Sequence, residues 1–243
     1  MSGVIVGDPV NGNFVIYKTT DGGDIWHPLT LTKKQHLAVS QKGESLFAAS
    51  NSAAVTPGLN GQIAFVTGGN GGARFIFDQH HDPCDCHPWQ GFSDIKLPMA
   101  SSESAGAFSI ARRSTAKGHI LEPDFMIVGG DYRSPNSPGT SAFVPYMAPI
   151  ATLISRRAIP ALTPPHGYRS SVAYDAATKT WITVGPNGTD ISTDDGRNWR
   201  PLTSSSIDAP DADKNWNALS LPFVVGPHGR IGILRDGVLA PHQ

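Results

Sequence analysis

The chain has 243 residues, 39% of them hydrophobic and only 16% charged, with a formal net charge of −1. That is enough apolar material for a core, and the scattered Lys and Arg exclude the broad basic footprint of a non-specific nucleic-acid or lipid-surface binder. No stretch approaches the roughly 18 apolar residues of a membrane span, and the first residues lack the basic start and apolar run of a leader, so the chain as given reads as soluble and unexported.

The 26 Gly and 20 Pro follow no Gly-x-y period, which suits short strands joined by tight turns. The first predicted strand ends at Val6-Gly7-Asp8-Pro9, and a turn signal follows at Thr19-Thr20-Asp21-Gly22-Gly23-Asp24-Ile25-Trp26. Its pattern, [Ser/Thr]-x-Asp-x-Gly-x-x-Trp, returns at Ser192-Thr193-Asp194-Asp195-Gly196-Arg197-Asn198-Trp199, and Pro-Leu follows each copy. A hydroxyl and an Asp two positions on can fold back onto the backbone N–H groups of a tight turn, Gly supplies positive φ, and Trp packs between neighbouring sheets. Thr19, Asp21, Gly23 and Trp26, with Ser192, Asp194, Gly196 and Trp199, are therefore expected to be structural hairpin fasteners.

A strand ending in Val-Gly or Thr-Gly recurs at Val6-Gly7, Thr67-Gly68, Val128-Gly129, Val184-Gly185 and Val225-Gly226. The copies lie roughly 40 to 60 residues apart, the period of propeller blades. In the second unit Phe75-Ile76-Phe77-Asp78 leads not into a fastener but into a loop holding His80, His81, Cys84, Cys86 and His87. Cys-x-Cys beside His could chelate zinc or copper; the alternative is an exposed polar insertion, since structural zinc sites favour Cys-x-x-Cys. The cysteines are too close for an unstrained bridge. In the third unit Ser141-Ala142-Phe143 runs into a stretch from Ile150 to Ile159 that reads as a short helix or a loop, again without a fastener.

The clearest unit spans Tyr168 to Leu202, with strands at 170–174, 180–185 and 189–192, a hairpin turn at Pro186-Asn187-Gly188, and the second fastener leading into Trp199-Arg200-Pro201-Leu202. That is a four-stranded blade. Asn187-Gly188-Thr189 also fits a glycosylation acceptor, but Asn-Gly in a hairpin explains it without a glycan. Arg74, Arg133 and Arg169 each stand near a Gly-rich or Gly-Tyr turn. If equivalent positions converge on one face, they make an anion-binding patch with Tyr132 and Tyr168; separate arginines paired within the fold are the alternative.

The fasteners resemble the Asp-boxes of BNR-repeat β-propellers. Together with Gly7-Asp8-Pro9-Val10-Asn11-Gly12, Glu44-Ser45-Leu46-Phe47, Ser104-Ala105-Gly106-Ala107, Gly130-Asp131-Tyr132-Arg133 and Gly167-Tyr168-Arg169-Ser170, they resemble bacterial photosystem II stability/assembly factor-like proteins. The resemblance implies an all-β, seven-bladed propeller behind an export signal, acting as a non-catalytic platform for a protein or membrane-protein assembly partner, without a cofactor. Here about five four-stranded, blade-like units fill a single domain over 1–243 and the chain opens inside one, so it reads as the C-terminal part of a longer family pattern. Sialidases share Asp-boxes, so a sialidase-like glycoside hydrolase, or a fragment of one, is the alternative. Against it, Glu44, Glu103 and Glu122 stand in no Tyr-supporting context, and Arg157-Ala158-Ile159-Pro160 only approximates the opening Arg-Ile-Pro of such domains.

Overall fold

The computed structural model describes residues 1–30, 37–56, 63–78, 91–117, 120–145, 157–235 and 237–239, with backbone alone at 114–117 and 120–123. The fold is all-β. Among the described residues the strands make five antiparallel sheets, taken up largely in chain order. The first holds β1 (Gly3–Val10), β2 (Asn13–Thr19) and β3 (His27–Pro28). A short β4 (Glu44–Ser45) precedes the second sheet, in which β5 (Ala54–Val55), β6 (Ala64–Val66), β8 (Arg74–Asp78) and β9 (Phe92–Lys96) pair in that order. The third contains β10 (Ala105–Lys117), β11 (Ile120–Asp131), β12 (Thr140–Val144) and β13 (Ile159–Pro160), extended past β10 by β7 (Gly68–Gly69) and β4.

The fourth sheet is β14 (Ser171–Asp175), β15 (Thr180–Gly185), β16 (Gly188–Ser192) and β17 (Arg200–Pro201), the four-stranded unit expected from sequence. One detail differs. Gly185 pairs with Gly188, so the hairpin turns on Pro186-Asn187 and Gly188 already belongs to the strand. Gly188 has φ +155°, and a Cβ there would lie 2.8 Å from Nε2 of His166. The fifth sheet is β18 (Ala218–Ser220), β19 (Phe223–Val225) and β20 (Ile231–Ile233). Of the stretch read as a helix or a loop, residues 150–156 lie outside the described residues, and Ile159–Pro160 is β13.

Strand alternation sends successive side chains to opposite faces, and that alternation builds the core. Among the described residues four apolar clusters lie between successive sheets. Phe14 and Ile16 meet Phe65 and Ile76; Val66 and Phe75 meet Ile110 and Ile127; Met126 and Val128 meet Trp181 and Trp199; Ile182 and Ile191 meet Leu219 and Leu221. Adjacent residues thus serve different interfaces, Ile127 facing the second sheet and Met126 the fourth.

The recurrent Val-Gly has a steric cause. A Cβ on Gly129 would lie 1.9 Å from the Gly106 carbonyl oxygen, on Gly185 2.1 Å from that of Tyr168, and on Gly226 2.3 Å from that of Asn215. At this point the backbone leading into or along each sheet's first strand crosses the end of its second, and only a hydrogen fits. The crossing segment also joins successive sheets: Arg169 N donates to Gly129 O at 3.2 Å, and Trp216 N to Gly185 O at 3.4 Å. At Gly7 the nearest atom to such a Cβ is 3.9 Å away. Its sheet has no strand outside β1 among the described residues.

Candidate functional site

The registers define two ends of the sheet stack. In the fourth sheet Gly185 pairs with Gly188 while Trp181 pairs with Ser192, so the glycine hairpin closes one end and the fastener turn the other. The first sheet repeats this, with Val10 opposite Asn13 and Gly3 opposite Thr19.

At the fastener end the two turns use the same bonds. Thr19 Oγ1 donates to Asp21 Oδ1 at 2.6 Å, and Ser192 Oγ to Asp194 Oδ1 at 2.8 Å. The hydroxyl accepts from Gly23 N at 3.1 Å and from Gly196 N at 3.0 Å, and the carboxylate from Ile25 N at 3.2 Å and from Asn198 N at 3.0 Å. Left-handed pairs, Gly22 and Gly23 at φ +91° and +105°, Asp195 and Gly196 at +58° and +73°, aim these N–H groups inward. Pro-Leu then closes the edge alike: Leu29 N reaches Ile16 O at 2.8 Å and Leu202 N reaches Thr189 O at 2.9 Å. The tryptophans differ. Trp199 is buried between the third and fourth sheets, its Nε1 donating to Ser141 Oγ at 2.8 Å. Trp26 is half-buried and folds over its own sheet, where a Cβ on Gly3 would stand 3.3 Å from its ring. The expectation that both pack between sheets is corrected for Trp26, which meets no preceding sheet among the described residues.

Ser192→Ala should destabilise the fold by about 1–3 kcal/mol, because it strands the buried Gly196 N–H, as a urea titration will show. At Asp194, partial burial opposes ionisation, but the Asn198 side chain and backbone and the Ser192 hydroxyl outweigh it and hold the carboxyl below the ordinary aspartate range. Its folded pKa being depressed, its contribution is present above the unfolded value and is lost as pH falls through the folded one. The melting midpoint should therefore drop on acidification below about pH 4, and less steeply in Asp194→Asn. An identical acid limb in wild type and variant would rule the carboxylate out.

Arg74, Arg133 and Arg169 all stand at the glycine end, but in different local positions: Arg74 opens β8, Arg133 follows β11 and Arg169 precedes β14. The open three-arginine patch is not formed, because two of the guanidinium groups are buried with carboxylates of their own. Arg74 clamps Glu44 through Nε at 2.8 Å and through a second nitrogen at 2.5 Å, and also donates to Val39 O at 2.6 Å. Thr67 Oγ1 donates to the same Glu44 at 2.5 Å. Arg169 is wholly buried; two of its nitrogens bond Asp190 Oδ2, its Nε at 2.8 Å, and it donates to Asn187 Oδ1 at 2.6 Å. His166 Nδ1 lies 2.5 Å from the other Asp190 oxygen. Asn187, weighed as a glycan acceptor, has its amide engaged in this cluster.

Arg133 alone points outward, 62% exposed, with Glu103 at 3.5 Å. It lies over the Tyr132 ring at 5.9 Å. Tyr132 joins Tyr168 through Phe108, at 6.2 and 4.8 Å between ring centroids, and Phe47 stacks on Phe108 at 4.4 Å. Of the five expected binding residues, the structure brings Tyr132, Tyr168 and Arg133 together. Burial pushes the Tyr168 phenol well above its ordinary range, with Tyr132 adding to the effect, so it is a poor nucleophile at neutral pH. Ser104 and the Arg133 backbone N–H hold Asp131 below its ordinary range, fixing the loop that carries Tyr132.

Sequence reading missed the serines behind this face. Ser50 Oγ donates to Ser170 O at 3.1 Å, Ser52 Oγ lies 2.6 Å from Ser109 Oγ, and Ser109 Oγ accepts from Val172 N at 3.0 Å. Leu219 N donates to Ser171 Oγ at 3.2 Å. These hydroxyls tie together the second to fifth sheets where their first strands converge. Arg113 was also missed; it pairs with Asp124 at 2.7 Å and with Asp195 of the second fastener. A further recess of about 320 Å³, lined by Val184, Leu202, Trp216, Leu219, Val224 and Val238, lies between the fourth and fifth sheets.

His80, His81, Cys84, Cys86 and His87 lie outside the described residues. Among the described residues no group of three His, Cys, Asp or Glu is placed to hold a metal, and no helix is long and apolar enough to cross a membrane. What fold and site define together is an all-β protein of stacked antiparallel sheets with an aromatic, charged face at one end. Comparison with protein-family models, curated proteins and solved structures returned no match.

Proposed function

We propose that the chain is a β-propeller of the BNR type and a non-catalytic binding or assembly platform, as in the photosystem II stability/assembly factor-like proteins its motifs resemble. The observation that carries this reading is the pair of fastener turns, which share one hydrogen-bond set between the last two strands of two different sheets. Five sheets stacked in chain order, each serving as a blade, support it. The binding surface is the glycine end, where Tyr132 offers a rigid exposed ring and Arg133 a guanidinium beside it. Such a pair suits an acidic, aromatic-containing segment of a protein or membrane-protein subunit. The hydrolase reading loses support because Arg74 and Arg169 are already neutralised by Glu44 and Asp190, so these two do not offer open guanidinium groups to a substrate carboxylate.

A peptide array of acidic sequences tests the proposal. Peptides held by the wild type should bind at least about tenfold more weakly to Tyr132→Ala and to Arg133→Ala, as expected for a central aromatic and its charged neighbour. Arg197→Ala, an exposed change at the fastener end, should bind as wild type does. Equal binding by all three variants, or turnover of a fluorogenic sialoside by the wild type, would overturn it.

A further inference from the structure

Among the described residues the first and fifth sheets each present a partly exposed apolar face, and that of the fifth corresponds, residue for residue, to a face buried elsewhere in the same molecule. In the fourth sheet Ile182 pairs with Ile191 and Val184 with Thr189, and this face is covered by the fifth sheet. Aligning Val184-Gly185 with Val225-Gly226 maps these positions onto Phe223, Ile233, Val225 and Ile231, which form the same two cross-strand pairs. Ile182, Val184 and Ile191 are 2%, 2% and 1% exposed; Phe223, Val225, Ile231 and Ile233 are 53%, 43%, 72% and 62% exposed.

The first sheet shows the complementary face. Val4, Val6, Phe14 and Ile16 turn toward the second sheet, so Ile5 and its cross-strand partner Tyr17 point the other way, 48% and 37% exposed. Trp26, the counterpart of Trp199, lies on that side over Gly3. In the third-to-fourth interface Trp199 packs with Met126 and Val128 and bonds Ser141, and the counterparts of Met126, Val128 and Ser141 in the fifth sheet are Phe223, Val225 and Ile231.

We propose that these faces dock on one another between two copies of the chain, the fifth sheet of one copy against the first sheet of the next, continuing the sheet-on-sheet interface already present four times within the molecule. A second copy fits because it supplies what the third-to-fourth interface uses: an aliphatic face on one side, and a fastener tryptophan with flanking β-strand residues on the other. The contact joins unlike faces, so it is head-to-tail and propagates to a ring or an open chain of copies. It rests on the sheet registers and not on the BNR reading.

Analytical ultracentrifugation over a concentration series is the test. The wild type should sediment as a dimer and then as larger multiples as concentration rises. Ile5→Glu, which spoils the first face, and the double variant Ile231→Glu, Ile233→Glu, which spoils the last, should each be monomeric with wild-type circular dichroism. An equimolar mixture of the two should form a dimer and nothing larger, since one intact face of each kind remains. If Ile5→Glu fails to fold, Tyr17→Lys serves in its place. A wild type that stays monomeric at its solubility limit overturns the proposal, as does self-association surviving in either variant.

Discussion

Trp199→Ala is expected to destabilise the fold by about 3–5 kcal/mol, the range for truncating a large buried aromatic. The side chain is 4% exposed and fills the space between the third and fourth sheets beside Met126, Val128, Val172 and Trp181. Its removal opens a cavity there and leaves Ser141 without its indole donor. Trp26→Ala removes the equivalent residue of the first fastener, but Trp26 lies over its own sheet and, among the described residues, meets no preceding one, so that loss should be roughly 1 kcal/mol. Urea titrations of the two variants measure the difference directly. Equal losses would mean that the turn and not the inter-sheet contact is what the tryptophans serve.

Arg169→Met should cost about 3–5 kcal/mol, because it leaves the Asp190 carboxylate buried without its guanidinium. Arg169 and Asp190 are 0% and 1% exposed, so water cannot take the place of the missing partner. The double variant Arg169→Met, Asp190→Leu removes both charges, and it should recover much of that loss, as apolar replacements of buried pairs do. Chemical denaturation of the two single variants and the double closes the cycle. A double variant as unstable as the two single losses added together would show that the pair is not coupled. Replacing Arg74, Arg133 and Arg169 together therefore cannot serve as a binding test. Two of the three changes attack the fold, whereas Arg133→Ala alone addresses the surface.

Several parts of this architecture were legible in the chain. Local signals carry local structure: the strand pattern over 180–185 and the hydroxyl-x-Asp-x-Gly spacing of the two fasteners each depend on residues a few positions apart. Asn-Gly is a strong turn signal by itself, yet Gly188 pairs with Gly185 inside the strand, and the imidazole of His166 beside it comes from 22 residues earlier in the chain. The arginines were misread for a similar reason. An Arg beside a glycine turn looks alike whether it meets solvent or a carboxylate, and Glu44 and Asp190 lie 30 and 21 residues away from Arg74 and Arg169.

By itself, then, the sequence determined the all-β class, the strand pattern over 170–192 and the bonding inside the fastener turns, since all of these follow from short-range sterics and hydrogen bonds. Only the tertiary structure decided which face of each strand met which neighbour, which arginines became internal ion pairs, and why Trp199 is buried while Trp26 is half open. Those outcomes depend on backbone and side chains brought together from distant positions, where burial determines whether a charge needs a partner and whether an indole has a sheet to pack against.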